Sequence, residues 1–101
     1  MTACLIVRAV VKPEDRAGFD RWYEEEHLPD AFRGFKALSA RRGWSDVTEG
    51  VHFAIYEFPS LDRAREISTS DAIAALIAEF DRVWGDRVTR EREVVGITQQ
   101  L

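Results

Sequence analysis

The chain has 101 residues, enough for one core and therefore one domain over residues 1–101. At 46% apolar, 11% aromatic and 32% charged it reads as globular rather than disordered, and a formal net charge of −4 offers no basic field to nucleic acid or an anionic membrane. No apolar run approaches the roughly 20 residues that span a bilayer, the start lacks the pattern of a signal peptide, and the lone Cys4 excludes an internal disulfide, so a reducing, cytoplasmic setting is expected.

Residues 3 to 11 are apolar at both parities apart from Arg8, as in a strand covered on both faces. Pro13 at a first helical position, followed by Glu14 and Asp15, predicts a helix from 13 to 27. Pro29 is expected to stop that helix at His27, with a short turn over 29 to 33 and release of the chain at Gly34. Residues 35 to 44 alternate unevenly and read as an edge strand, and 45 to 50 as a hairpin loop. Residues 51 to 58 are again apolar on both parities, a second central strand. A short helix over 61 to 67 follows. Ser70 is placed to cap a helix over 71 to 84, whose stripe Ile73, Leu76, Ile77, Phe80, Val83 and Trp84 has helical spacing. Gly85 ends it, and the charged alternation from Arg87 suits a fourth strand at an edge.

The order β-α-β-β-α-β, with strands one and three apolar on both faces, predicts an α+β ferredoxin-like fold with a four-stranded antiparallel sheet in the order 4-1-3-2 and helices on one face. The other face would then be bare and apolar, so a homodimer packed through the open sheet face is expected.

The first helix carries the chemistry. At 100° per residue Phe19, Trp22, Tyr23 and Glu26 share an inward sector with His27 on its edge. His27 titrates near neutrality and is the leading acid or base; the structural alternative is a cap on the end of its helix. Glu26 is a proton acceptor, an orienting partner for a histidine, or half of an ion pair with Arg8, Arg41 or Arg42. His52, on the parity of Ala54 and Tyr56, belongs to the pocket as a secondary residue or to the core. Trp22, Trp44 and Trp84 are candidate walls of a flat aromatic site, the alternative being plain core, and of Arg41 and Arg42, which alternate faces, at most one points toward a ligand carboxylate or enolate. Two histidines and one cysteine far apart give no metal-ligand spacing, and no phosphate loop or nucleophile elbow is present, so no metal or cofactor is expected.

With Trp22-Tyr23, His27 and Pro29 in a first helix, then Arg33-Gly34-Phe35 leading to Arg41-Arg42-Gly43-Trp44, the chain resembles the dimeric α/β-barrel superfamily, and its W-Y-x-x-x-H-x-P pattern is similar to the EthD-like group. Arg33 departs from the proline that such sequences often carry before the glycine. The resemblance covers nearly the whole chain and implies a pocket between helices and sheet. Members include cofactor-free monooxygenases, isomerases and cyclases, but a likeness of fold does not select among reactions; from the residues themselves the expectation is a small aromatic or enolisable metabolite, with His27, Tyr23 and Glu26 catalytic and Trp22, His52, Arg41, Trp44 and Trp84 contacting the substrate. The alternatives are a non-catalytic homodimer and, since relatives use a histidine as axial ligand, a haem-binding protein.

Overall fold

The computed structural model describes residues Met1–Leu101. Four strands, β1 (Ala3–Val11), β2 (Ser39–Trp44), β3 (Val51–Phe58) and β4 (Val88–Gly96), form one antiparallel sheet in the order β2-β3-β1-β4. This is the ferredoxin-like order expected from the two-faced apolarity of strands one and three, which occupy the centre. Along β3 the residues His52, Ala54, Tyr56 and Phe58 are buried at 2% exposure or less, and along β1 so are Ala3, Leu5, Ala9 and Val11. These two rows are the floor on which the helices lie. The opposite rows, with Ile6, Val10, Phe53 and Ile55, remain partly accessible.

The helical layer contains α1 (Arg16–Trp22), α2 (Leu28–Phe35), α3 (Leu61–Ser68) and α4 (Asp71–Val83). Ser60 and Ser70 cap α3 and α4, each hydroxyl accepting from the backbone N–H three residues on. No helix is long and apolar enough to cross a membrane.

The expected stop at His27 does not occur. A 3-10 turn over Pro13–Asp15, α1, a π-helical turn over Tyr23–His27 and α2 run on without a break to Phe35. Pro29 is tolerated because it stands in the first turn of α2, where the π-turn has just changed the hydrogen-bond register: Leu28 N–H bonds back to the carbonyl of Tyr23, five residues earlier. Gly34 therefore lies inside the helix. The chain is released at Lys36, whose left-handed φ of 53° supplies the turn.

Candidate functional site

The π-turn decides which residues of the first helical run face inward. A π-turn rotates by less per residue than an α-turn, so Trp22 and His27, five apart, end on the same side together with Tyr23. Tyr23 and His27 are buried, at 1% and 8% exposure. Glu24, Glu25 and Glu26 bulge outward together, so the expectation that Glu26 points inward is overturned: its carboxylate is exposed and makes no ion pair with Arg8, Arg41 or Arg42. The reading of His27 as a helix cap falls as well, since no helix ends there.

His27 lies parallel to the indole of Trp22, with centroids 4.4 Å apart and planes at 18°, and meets the edges of Tyr23 at 4.9 Å and Phe80 at 5.7 Å. Burial, and then the nearby Arg90 charge, lower its pKa to about 4, so the ring is neutral at pH 7. Its buried Nδ1 has no hydrogen-bond partner in the protein. Tyr23 sits beside Tyr56, and burial raises both phenols, Tyr23 to about 12. The two hydroxyls thus stay protonated.

These groups line a cleft between α4 and the β1–β4 side of the sheet, bounded by Leu5, Val7, Leu76, Ile77, Arg90 and Arg92 besides the rings of Tyr23, His27 and Tyr56. The hollow at its base measures about 30 Å³, room for one or two waters, whereas its non-atom space including the open mouth is about 340 Å³. A shallower extension of about 180 Å³ shares Leu5, Ile73 and Arg92 with it. The hollow beside His27 leaves no room for a porphyrin, so the site does not fit haem. No three or more His, Cys, Asp or Glu side chains come together as a metal-holding group.

The other expected site residues are gathered differently. Trp22 and Trp84 are core, each packed on Phe19. His52 faces the helices as anticipated, wholly buried, with Tyr23 at 4.6 Å, but it stands behind Tyr23 rather than on the cleft. Arg42 Nη1 lies 3.4 Å from His52 Nε2, and that guanidinium donates at 2.8 Å to Asp20, which also accepts from the indole of Trp44 at 2.8 Å. Asp20 is held below the usual carboxylate range by these two donors. Burial, then the Arg42 charge, lowers the His52 pKa to about 4. Trp44 and Arg42 thus brace the helix against β2, and Arg41, one residue away, lies on the opposite, open face with Phe53 and Ile55. Neither arginine reaches the cleft.

The sequence reading missed Arg90, Arg92 and Tyr56 as cleft residues. Arg90 pairs in register with Ala9, on the helix-facing row, and its guanidinium lies 3.9 Å from the Phe80 ring centroid. Val88 and Val94 share its parity, which was the available signal.

A four-stranded antiparallel sheet covered on one side by helices, with an aromatic cleft between the layers, defines the class: a ferredoxin-like α+β fold. No family model matches the sequence, and no curated protein sequence matches it either. Solved structures do. An EthD-family protein from Bacillus halodurans superposes with a TM-score of 0.69 at 16% identity, over 92% of this chain and 97% of the other. SnoaB, a cofactor-independent oxygenase from Streptomyces nogalater, gives 0.65 at 14% identity over 99% and 96%. A NIPSNAP-family protein of unknown function from Agrobacterium tumefaciens gives 0.69 at 17% identity over 95% and 87%. At these identities the likeness is one of fold, and the fold is the one expected from the pattern of strands and helices.

Proposed function

We propose that the protein is a homodimer that binds a small aromatic or enolisable metabolite in the α4–β4 cleft and acts on it without a cofactor, with His27 as acid and base. The observation that carries this reading is the imidazole of His27, lining an apolar cleft with its buried Nδ1 unpartnered. A histidine kept only for packing is normally tied down by a hydrogen bond, and this one is not. A neutral imidazole in a nearly dry site can take a proton from a carbon acid next to a carbonyl, leaving an enolate. Where a double bond extends the enolate to a dienolate, returning that proton to its γ carbon instead of the α carbon isomerises the substrate with no net change of electrons or protons. The phenols of Tyr23 and Tyr56, held protonated, are donors suited to the enolate oxygen. A cofactor-independent oxygenase among the structures of this fold supports carbanion chemistry of this type. The dimer is supported by the apolar open face described above.

The test is solvent deuterium exchange at the central carbon of phenyl-substituted 1,3-diketones, followed by NMR. Wild-type protein is expected to accelerate exchange over buffer, and His27→Gln to lose that acceleration while keeping its amide spectrum. Equal acceleration by the variant would remove His27 from the reaction. A cleft that remained closed to every diketone would favour the non-catalytic homodimer, a reading that the small hollow at rest keeps specific.

A further inference from the structure

The cleft contains a cationic end that the acid–base reading does not use. Arg90 projects from β4 into the helix-facing layer with its side chain only 12% exposed, while one Nη donates to Asp81 at 3.2 Å and the guanidinium covers the Phe80 ring. Two residues on, Arg92 pairs in register with Val7, another lining residue, and stands in both the cleft and its extension. It forms no ion pair.

Charges facing this region do not cancel. Glu79 is held by Arg82 at 2.6 Å and Asp30 by Arg33 at 2.7 Å. Asp81, 61% exposed, offsets Arg90 from the solvent side through a single oxygen. Glu93 borders only the shallow extension, and its neighbour along the open-face row, Glu91, pairs with Arg8 in register on the far side of the sheet. His27, Tyr23 and Tyr56 are neutral at pH 7. Two guanidinium groups against one carboxylate leave an excess of one positive charge along an otherwise apolar wall, in a protein whose net charge is −4.

We infer that Arg90 and Arg92 form a carboxylate-reading end of the cleft, so that its ligand is a ring-bearing organic monoanion whose ring sits in the open mouth, above the small hollow lined by Tyr23 and His27, and whose carboxylate rests at the β4 edge. This rests on the reading of the cleft as a small-molecule site and names the class of molecule that fills it. Guanidinium forks match a planar carboxylate with paired donors, and Arg90 has only one of its donors engaged by the protein. A phosphate dianion is a poorer match. Its second negative charge would exceed what the two guanidinium groups leave uncompensated beside Asp81. An excess of one charge also suits a monoanion.

The experiment uses the intact protein with three probes of one ring size: benzoate, benzamide and phenyl phosphate. Each is titrated while backbone amide shifts are followed, and the rise in melting temperature is recorded in parallel. Benzoate is expected to bind at least tenfold tighter than benzamide and to move the resonances of Val7, Phe80 and Arg90. Arg90→Gln should abolish that preference while leaving benzamide affinity unchanged. Arg92→Gln, at an exposed position tolerant of substitution, should reduce benzoate affinity severalfold and supports the proposal even where the Arg90 variant folds poorly. Equal affinity for benzoate and benzamide, with shifts confined to the cleft, overturns the carboxylate end but leaves the small-molecule site standing. Tighter binding of phenyl phosphate overturns the choice of anion. No cleft shifts with any probe, or shifts on Phe53 and Ile55 instead, sink the inference and the small-molecule reading together.

Discussion

His27 and His52 are both held neutral inside the helix–sheet interface, and this ties stability to pH with a definite sign. Each folded pKa lies near 4 against an ordinary 6.5, so between those values the unfolded chain binds protons that the native state refuses. Stability therefore rises as pH climbs from 4 to 6.5 and is flat above, where both states are neutral. At about 1.4 kcal/mol per pKa unit, the loss on acidification is on the order of 3 kcal/mol for each histidine. Asp20, depressed by Arg42 and Trp44, adds a loss in the same sense only as pH falls through its own lower range. Urea unfolding at intervals from pH 4 to 7.5 should show a slope that is roughly halved in His27→Gln. An unchanged slope would mean that the ring is already solvated and protonatable in the native protein. Because the Arg90 charge is the second cause of the His27 shift, the Arg90→Gln variant should also raise the His27 pKa toward its ordinary value, as read from its ring proton shifts.

Between elements, turn geometry carries more of the outcome than helix propensity does. Gly50 closes the β2–β3 connection with φ 79°, and a Cβ there would come within 2.7 Å of the Val11 carbonyl oxygen and 2.5 Å of Arg16 Nη2. The arginine tip can move but the carbonyl cannot, since Val11 and Gly50 are joined through a 2.8 Å hydrogen bond from Val11 N–H to Gly50 O. Gly50→Ala should cost about 1–3 kcal/mol in urea unfolding. Gly85, at φ 53° with open space around it, serves as the control and should cost less. If the two are equal, the β2–β3 turn relaxes more freely than its contacts allow. The strands and α4 were legible in the sequence because burial on both faces, or one helical stripe, is written directly into residue order. That His27 and Tyr23 share the inward side of the first helical run was legible for the same reason, as the titratable end of an aromatic face. Glu26 was misplaced because a wheel of 100° per residue presumes an α-helix, and a π-turn has no sequence mark that periodicity detects. Arg90 was passed over because charge on an edge strand looks solvated until strand register shows which parity faces the helices.

At the scale of the whole molecule the proposed homodimer has two apolar surfaces from which to draw its contact. One is the open sheet face, where Ile6 and Ile55 are in register, Phe53 flanks them, and Val10 and Val95 are 43% and 39% exposed. The other is a groove at the α2–β2 edge formed by Leu28, Pro29, Phe32, Leu38 and Ala40, in which Leu38 is 56% exposed. The sheet face is the better candidate because its side chains stand on two central strands and present a rigid surface, whereas the groove is shallow and sits at a sheet edge. Around its apolar centre the sheet face also carries Arg8 and Arg41 together with Glu57, Glu91 and Glu93, so that a twofold pairing can set opposite charges across the seam. Ile55→Glu would bury two unpaired carboxylates per dimer and should give a monomer in sedimentation at micromolar concentration, while Phe32→Glu leaves the dimer whole. The reverse pattern, with Phe32→Glu dissociating the protein and Ile55→Glu not, would move the interface to the α2–β2 edge and leave the sheet face as a surface still to be explained.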